Sequence, residues 1–148
     1  MRNVVWLLMI AGFGLFVTPV AGQVRPNLSG TWQLDASKSE FHNGKIDSAM
    51  WVIGEDDNTI RISETEKGKT IEVKCTTDGK ECKVGGDSKS TSSFWYNGPS
   101  LVEFETKSDH VTRYRMTLSE DGKTLKVETT SIVPQSNQTD VLVFDKQG

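Results

Sequence analysis

The sequence predicts an all-β domain: an antiparallel up-and-down meander of about 8–10 strands closed into a small barrel. Three observations carry this. Turn clusters recur roughly every 8–12 residues. Many of the segments between them alternate apolar and polar residues, as a strand with one buried and one wet face does. No segment carries a sustained helical stripe with caps. A β-sandwich of the same strands is the alternative.

Residues 1–22 have the three parts of an export signal. Arg2 is their only charge, Val4 to Val17 is apolar, and Thr18-Pro19 precedes a small-residue end at Val20-Ala21-Gly22. The apolar run is short for a membrane span. The expectation is therefore a removable signal peptide, then a single domain over 23–148, exported to the periplasm or beyond the cell. Without Arg2 the formal charge of −3 becomes −4. A mildly acidic chain without a Lys/Arg cluster argues against nucleic acid and against anionic membranes, since Glu64, Glu66 and Glu72 sit among Lys67, Lys69 and Lys74. No membrane insertion is expected once the signal is gone.

The predicted strands are Ser29–Leu34, Ala49–Glu55, Thr59–Glu66, Thr70–Thr76, Lys80–Val84, Ser90–Tyr96, Leu101–Thr106, Val111–Leu118, Thr124–Ile132 and Thr139–Asp145. Their alternation is clearest at Ile60/Ile62, Ile71/Val73/Cys75, Val102/Phe104, Tyr114/Met116/Leu118, Leu125/Val127 and Val141/Val143. Asp56-Asp57-Asn58, Lys67-Gly68-Lys69, Asn97-Gly98-Pro99, Lys107-Ser108-Asp109 and Asp121-Gly122 punctuate them. Short connections imply sequential antiparallel pairing. Ten strands in an open sheet would leave exposed edges, which closure removes. The one long connection, Asp35 to Ser48, has room for at most a short helical turn.

Cys75 and Cys82 bracket an Asp78-Gly79 pair, a strong two-residue hairpin signal because a type I′ turn needs positive φ at both positions. In that register the two cysteines face each other, and an oxidising compartment makes them a disulfide. The closed loop is short, so its entropic contribution is roughly 2.5 kcal/mol.

Gly30-Thr31-Trp32-Gln33-Leu34, with Ser39-Glu40-Phe41 after it, resembles the opening of fatty-acid-binding proteins and the Gly-x-Trp motif of lipocalins, both calycin barrels. The chain looks most like exported bacterial lipocalin-like proteins, which also carry a late Asp-Gly-Lys-x-Leu turn, here Asp121 to Leu125. The resemblance implies a lipocalin-like barrel that holds a small molecule. The departures are specific. The Asp35–Ser48 connection is short for the helical lid of fatty-acid-binding proteins, and no C-terminal helix of the lipocalin kind is visible. Where fatty-acid-binding proteins place an Arg-x-Tyr carboxylate clamp, this chain has Leu142 and Phe144.

Gly30 and Trp32 are expected to be structural, the ring plugging one end of the barrel beside a residue without a side chain. Lipocalins cover such a Trp with an Arg; Arg113 and Arg115 alternate with core-like Tyr114 and Met116 and are expected on the surface. For a cavity, the expected lining is Met50, Val52, Phe94, Tyr96, Phe104, Tyr114 and Met116. Glu103 and Glu105 share a strand face expected to lie in water. His42 and His110 follow loop and turn signals and read as solvent residues. No zinc set, calcium loop, nucleophile elbow or phosphate-cradling glycine loop is present, so no metal, cofactor or catalysis is expected. The functional expectation is a secreted barrel binding an apolar or amphipathic molecule. The alternative is an extracytoplasmic protein-interaction or inhibitor module on a filled barrel, and interior volume separates the two.

Overall fold

A computed structural model describes residues 25–42, 44–85 and 89–148. The expected signal peptide lies outside the described residues. Ten strands follow in sequence: β1 Gly30–Leu34, β2 Ala49–Glu55, β3 Thr59–Glu66, β4 Lys69–Thr76, β5 Asp78–Lys83, β6 Ser90–Asn97, β7 Ser100–Lys107, β8 His110–Leu118, β9 Thr124–Val133 and β10 Thr139–Lys146. All pairs are antiparallel, and the sheet order is β4-β3-β2-β1-β10-β9-β8-β7-β6-β5. β1 therefore pairs with both β2 and the last strand, and the meander curls into a nearly closed barrel whose two edges are β4 and β5.

Those edges meet without forming a full ladder. An isolated Val73–Val84 bridge, a Gly85 N–H to Glu72 carbonyl hydrogen bond of 2.7 Å and the Cys75–Cys82 disulfide join them, with 5.6 Å between the cysteine Cα atoms. The disulfide matches the sequence reading, but the hairpin around it does not. Asp78 and Gly79 belong to β5, which pairs with β6 through a register shift between Asp78 and Glu81. Gly79, at φ 80, supplies the kink. Thr77 N–H bonds to the Asn58 carbonyl instead, which tethers the end of β4 to the β2–β3 turn. The bond therefore staples the barrel seam rather than a hairpin.

Tight turns set the registers. Lys67 and Gly68 both have positive φ, 50 and 74, between paired Glu66 and Lys69. Gly98, at φ 59, opens the two-residue turn that puts Asn97 opposite Ser100. The Asp35–Ser48 connection contains a turn at 36–38, then runs beside β10 through a Glu40–Val141 bridge. From it Phe41 and Ile46 pack on the core.

The core lies inside the barrel. Trp32, Phe94, Phe144, Leu28, Leu101, Met116 and Leu125 fill the end where the N-terminal segment and the β6–β7 turn lie. Trp32 is fully buried and donates its indole N–H to the Leu28 carbonyl at 2.9 Å. Lys146 Nζ, from the last strand, sits 5.2 Å from the Trp32 ring centroid. Arg113 and Arg115 are exposed on the outer face. Gly30 is required on two counts: its φ is 147, and a Cβ there would stand 2.7 Å from Lys146 Cε.

Candidate functional site

Alternation along the strands sorts inward from outward residues, and it corrects part of the expected lining. On β2, Trp51 and Ile53 face inward, while Met50 and Val52 are 38% and 43% exposed on the outside. The Asp56–Asn58 turn pairs Ile53 with Ile62 and Trp51 with Glu64, which leaves Met50 and Val52 on the opposite face. On β7 the same parity places Leu101, Glu103 and Glu105 inside. Phe104 is then outside, where its ring meets Trp95 edge-on at 5.0 Å. On β10, Leu142 and Phe144 are buried rather than the Val141/Val143 pair. Phe94, Tyr96, Tyr114 and Met116 belong to the core or pack against it.

Glu103 and Glu105, expected in water, are the main surprise. With Glu64 they line an interior cavity of about 40 Å³ together with Trp51, Ile62, Val73, Ser92 and Tyr114. That volume admits a few water-sized groups. An adjoining recess of about 90 Å³ shares Ile71, Val84 and Glu105 and opens past Lys69, Gly85 and Lys107. The two form one funnel from the rim near the β3–β4 turn down to Glu103.

Each carboxylate has a defined setting. Ser92 stands opposite Glu105 but donates its hydroxyl diagonally to Glu103 Oε1 at 2.7 Å. Tyr114 stands opposite Glu103 and donates its hydroxyl to Glu105 Oε2 at 3.0 Å. Burial pushes the Glu103 carboxyl up to about 8; the Ser92 hydrogen bond opposes this, and Glu105 and Glu64 add to it. Burial likewise raises Glu64, opposed by the Trp51 indole and reinforced by Glu105 and Glu66. Burial first, then the three carboxylates, hold the Tyr114 hydroxyl protonated well beyond its usual range. Trp51 is 4% exposed, and its Nε1–H, although close enough to favour a charged Glu64, makes no hydrogen bond. None of the ion pairs among the described residues involves Glu64, Glu103 or Glu105. Among those residues no group of three or more His, Cys, Asp or Glu converges on a point that would hold a metal.

At the opposite end, Tyr96 donates to Glu55 Oε1 at 2.6 Å, Leu28 N–H bonds to Glu55 Oε2 at 3.0 Å, and Arg25 lies 5.0 Å over the Tyr96 ring. Arg25, Glu55 and Tyr96 also line an open surface recess of about 490 Å³, and the fully buried Leu28, Trp32 and Leu101 fill the barrel at that end. His42 and His110 lie on the surface beside Asp140 and Asp109.

No protein-family model and no curated protein matches the sequence. Solved structures match its fold. Echinococcus granulosus fatty-acid-binding protein 1 superposes with a TM-score of 0.63 at 16% identity, over 81% of this chain and 97% of its own. The fluorescent protein UnaG gives 0.65 at 15% identity, over 80% and 96%. Secretory abundant heat soluble protein 4 from Ramazzottius varieornatus gives 0.67 at 12% identity, over 86% and 100%. The chain shares its barrel fold with these proteins. The disulfide is present, and among the described residues no helix is long and apolar enough to cross a membrane.

Proposed function

We propose that this chain is a small-molecule-binding barrel acting outside the cytoplasm, which takes an amphipathic ligand through the β3–β4 end and performs no chemistry on it. The observation that carries this reading is the funnel: an apolar wall of Ile62, Ile71, Val73 and Val84 leads to buried polar groups inside a barrel whose other end is filled by Leu28, Trp32 and Leu101. A few convergent polar groups in an apolar recess are the usual form of a ligand site. The fold it shares with a fatty-acid-binding protein supports the reading. The Cys75–Cys82 disulfide supports an oxidising compartment, and a signal over 1–22 with a single domain over 23–148 is proposed with it.

The ligand differs from a fatty acid. Leu142 and Phe144 are apolar and buried, and the inward-facing ionisable groups nearest the cavity are acids. Recesses of about 40 and 90 Å³ remain well below the several hundred Å³ that bury a drug-sized ligand. The occupant is therefore a short molecule, or the head of a longer one. Phe94, Tyr96, Tyr114 and Met116 are proposed as its surroundings or support; Met50, Val52 and Phe104 are not.

Trp51 lines the cavity, so its fluorescence reports occupancy. Titration with 1-butanol, 1-hexanol and 1-octanol is expected to give a saturable response for the shorter members. No saturable response to any of them, with no small molecule retained in native mass spectrometry, would favour the second reading. That reading is an interaction module, which the filled interior and the outward Trp95–Phe104 pair support.

A further inference from the structure

The funnel ends on carboxylates that meet no cation among the described residues. We infer that Glu64, Glu103 and Glu105, with Tyr114 and Trp51, form a recognition site for the head group of a small organic ammonium ion. This rests on the binding reading above and names the chemistry of the ligand.

The first ground is the geometry. Strands β3, β6, β7 and β8 bring three glutamates and their hydroxyl partners to one interior cavity. Burying a carboxyl in a barrel is costly without a partner of opposite charge, and none of the ion pairs among the described residues provides one. A protonated amine supplies several N–H donors from one compact charge. It can therefore serve the carboxylate oxygens left free by the Ser92 and Tyr114 hydroxyls.

The second ground is a buried donor beside Glu64. The Trp51 indole N–H is buried, lines the same cavity and has no hydrogen bond. A buried donor of this kind normally has an acceptor. An oxygen on the ligand, or the water that accompanies it, provides one. A metal ion fits less well: the carboxylates do not converge to coordination spacing, and the walls are aliphatic. An organic cation uses both the walls and the acids.

The groups facing the site from every neighbouring strand are Trp51, Glu64, Ser92, Glu103, Glu105 and Tyr114, with Glu66, Lys69 and Lys107 nearer the rim. The two lysines are exposed, where water and salt screen them. They do not set the preference of the buried end. Because Glu103 holds its proton near neutrality, an arriving cation displaces that proton. Binding should therefore release protons and tighten as pH rises toward 8.

The test compares three probes of one chain length on the purified protein at pH 7.5, read by Trp fluorescence and calorimetry: 1-butylamine, 1-butanol and butyrate. The amine should bind at least tenfold more tightly than the alcohol, and butyrate more weakly than either. Glu103→Gln and Glu64→Gln keep side-chain shape, and each should bring the amine and the alcohol to within about twofold. Calorimetry in buffers of different ionisation enthalpy should show proton release with the amine alone. If the alcohol binds as tightly as the amine, or butyrate binds best, the cation inference is overturned while the binding reading stands. If none of the three binds, both fall.

Discussion

Trp51 and Glu64 stand directly opposite each other on β2 and β3, both turned into the barrel, with the indole beside a carboxyl that burial keeps reluctant to ionise. Neither residue belongs to an ion pair among the described residues, and the pairing marks this part of the interior as acidic.

Stability should fall as pH rises through neutrality, and Glu103 is the reason. Below the ordinary carboxyl pKa of 4.5 both folded and unfolded chains hold the proton, and the residue contributes no slope. Between there and about 8 the unfolded chain has lost the proton while the native barrel keeps it, so folding is progressively disfavoured. The accumulated effect is on the order of a few kcal/mol. Glu103→Gln should flatten the dependence and leave the variant more stable than the parent at pH 8. Denaturant melts at pH 5, 6.5 and 8 read this out; identical slopes for parent and variant would count against it.

Reduction of Cys75–Cys82 should cost about 2–3 kcal/mol, the scale of a short closed loop. Its local effect is more diagnostic. The seam should loosen, so the Gly85 amide, bonded to Glu72 across it, should exchange with solvent faster than β7 and β8 amides. Uniform loss of protection would mean that the disulfide supports the whole fold rather than the seam.

Trp32→Ala removes the largest fully buried side chain and should cost about 3–5 kcal/mol. Gly30→Ala should also destabilise, by about 1–3 kcal/mol, because it adds a Cβ against Lys146 at a backbone conformation other residues avoid. Combining Gly30→Ala with Lys146→Ala should recover only the steric part of that loss. Thermal melts of the three variants settle the partition.

The strands were legible in the sequence because short, alternating segments between Gly- and Asp-rich turns leave little choice of period. All ten were placed to within about two residues, and the barrel followed from closure. Parity was harder. On β7, Val102/Phe104 and Leu101/Glu103/Glu105 are equally good alternations, and hydrophobicity favours the wrong one. The Gly98-Pro99 turn held the answer: it sets Asn97 against Ser100, so an inward Phe94 requires an inward Glu103. On β2 Met50/Val52 and Trp51/Ile53 are both apolar, and only pairing with β3 distinguishes them. The hairpin at Asp78-Gly79 failed for another reason. A local turn signal was overridden when Asp78 accepted hydrogen bonds from Thr76 and Lys80 and β5 joined β6. The site was missed because acidic residues on a strand read as solvated unless the turn register is followed.

The most direct measurement is a ¹³C NMR titration of the glutamate side-chain carboxyls, with Glu103→Gln used to assign the Glu103 resonance. An acid-lined interior requires one glutamate to titrate at about 8, with its signal absent from the variant. If instead Glu103 titrates near its ordinary value of 4.5, it lies in water, the interior is not acidic, and this account of the barrel is contradicted.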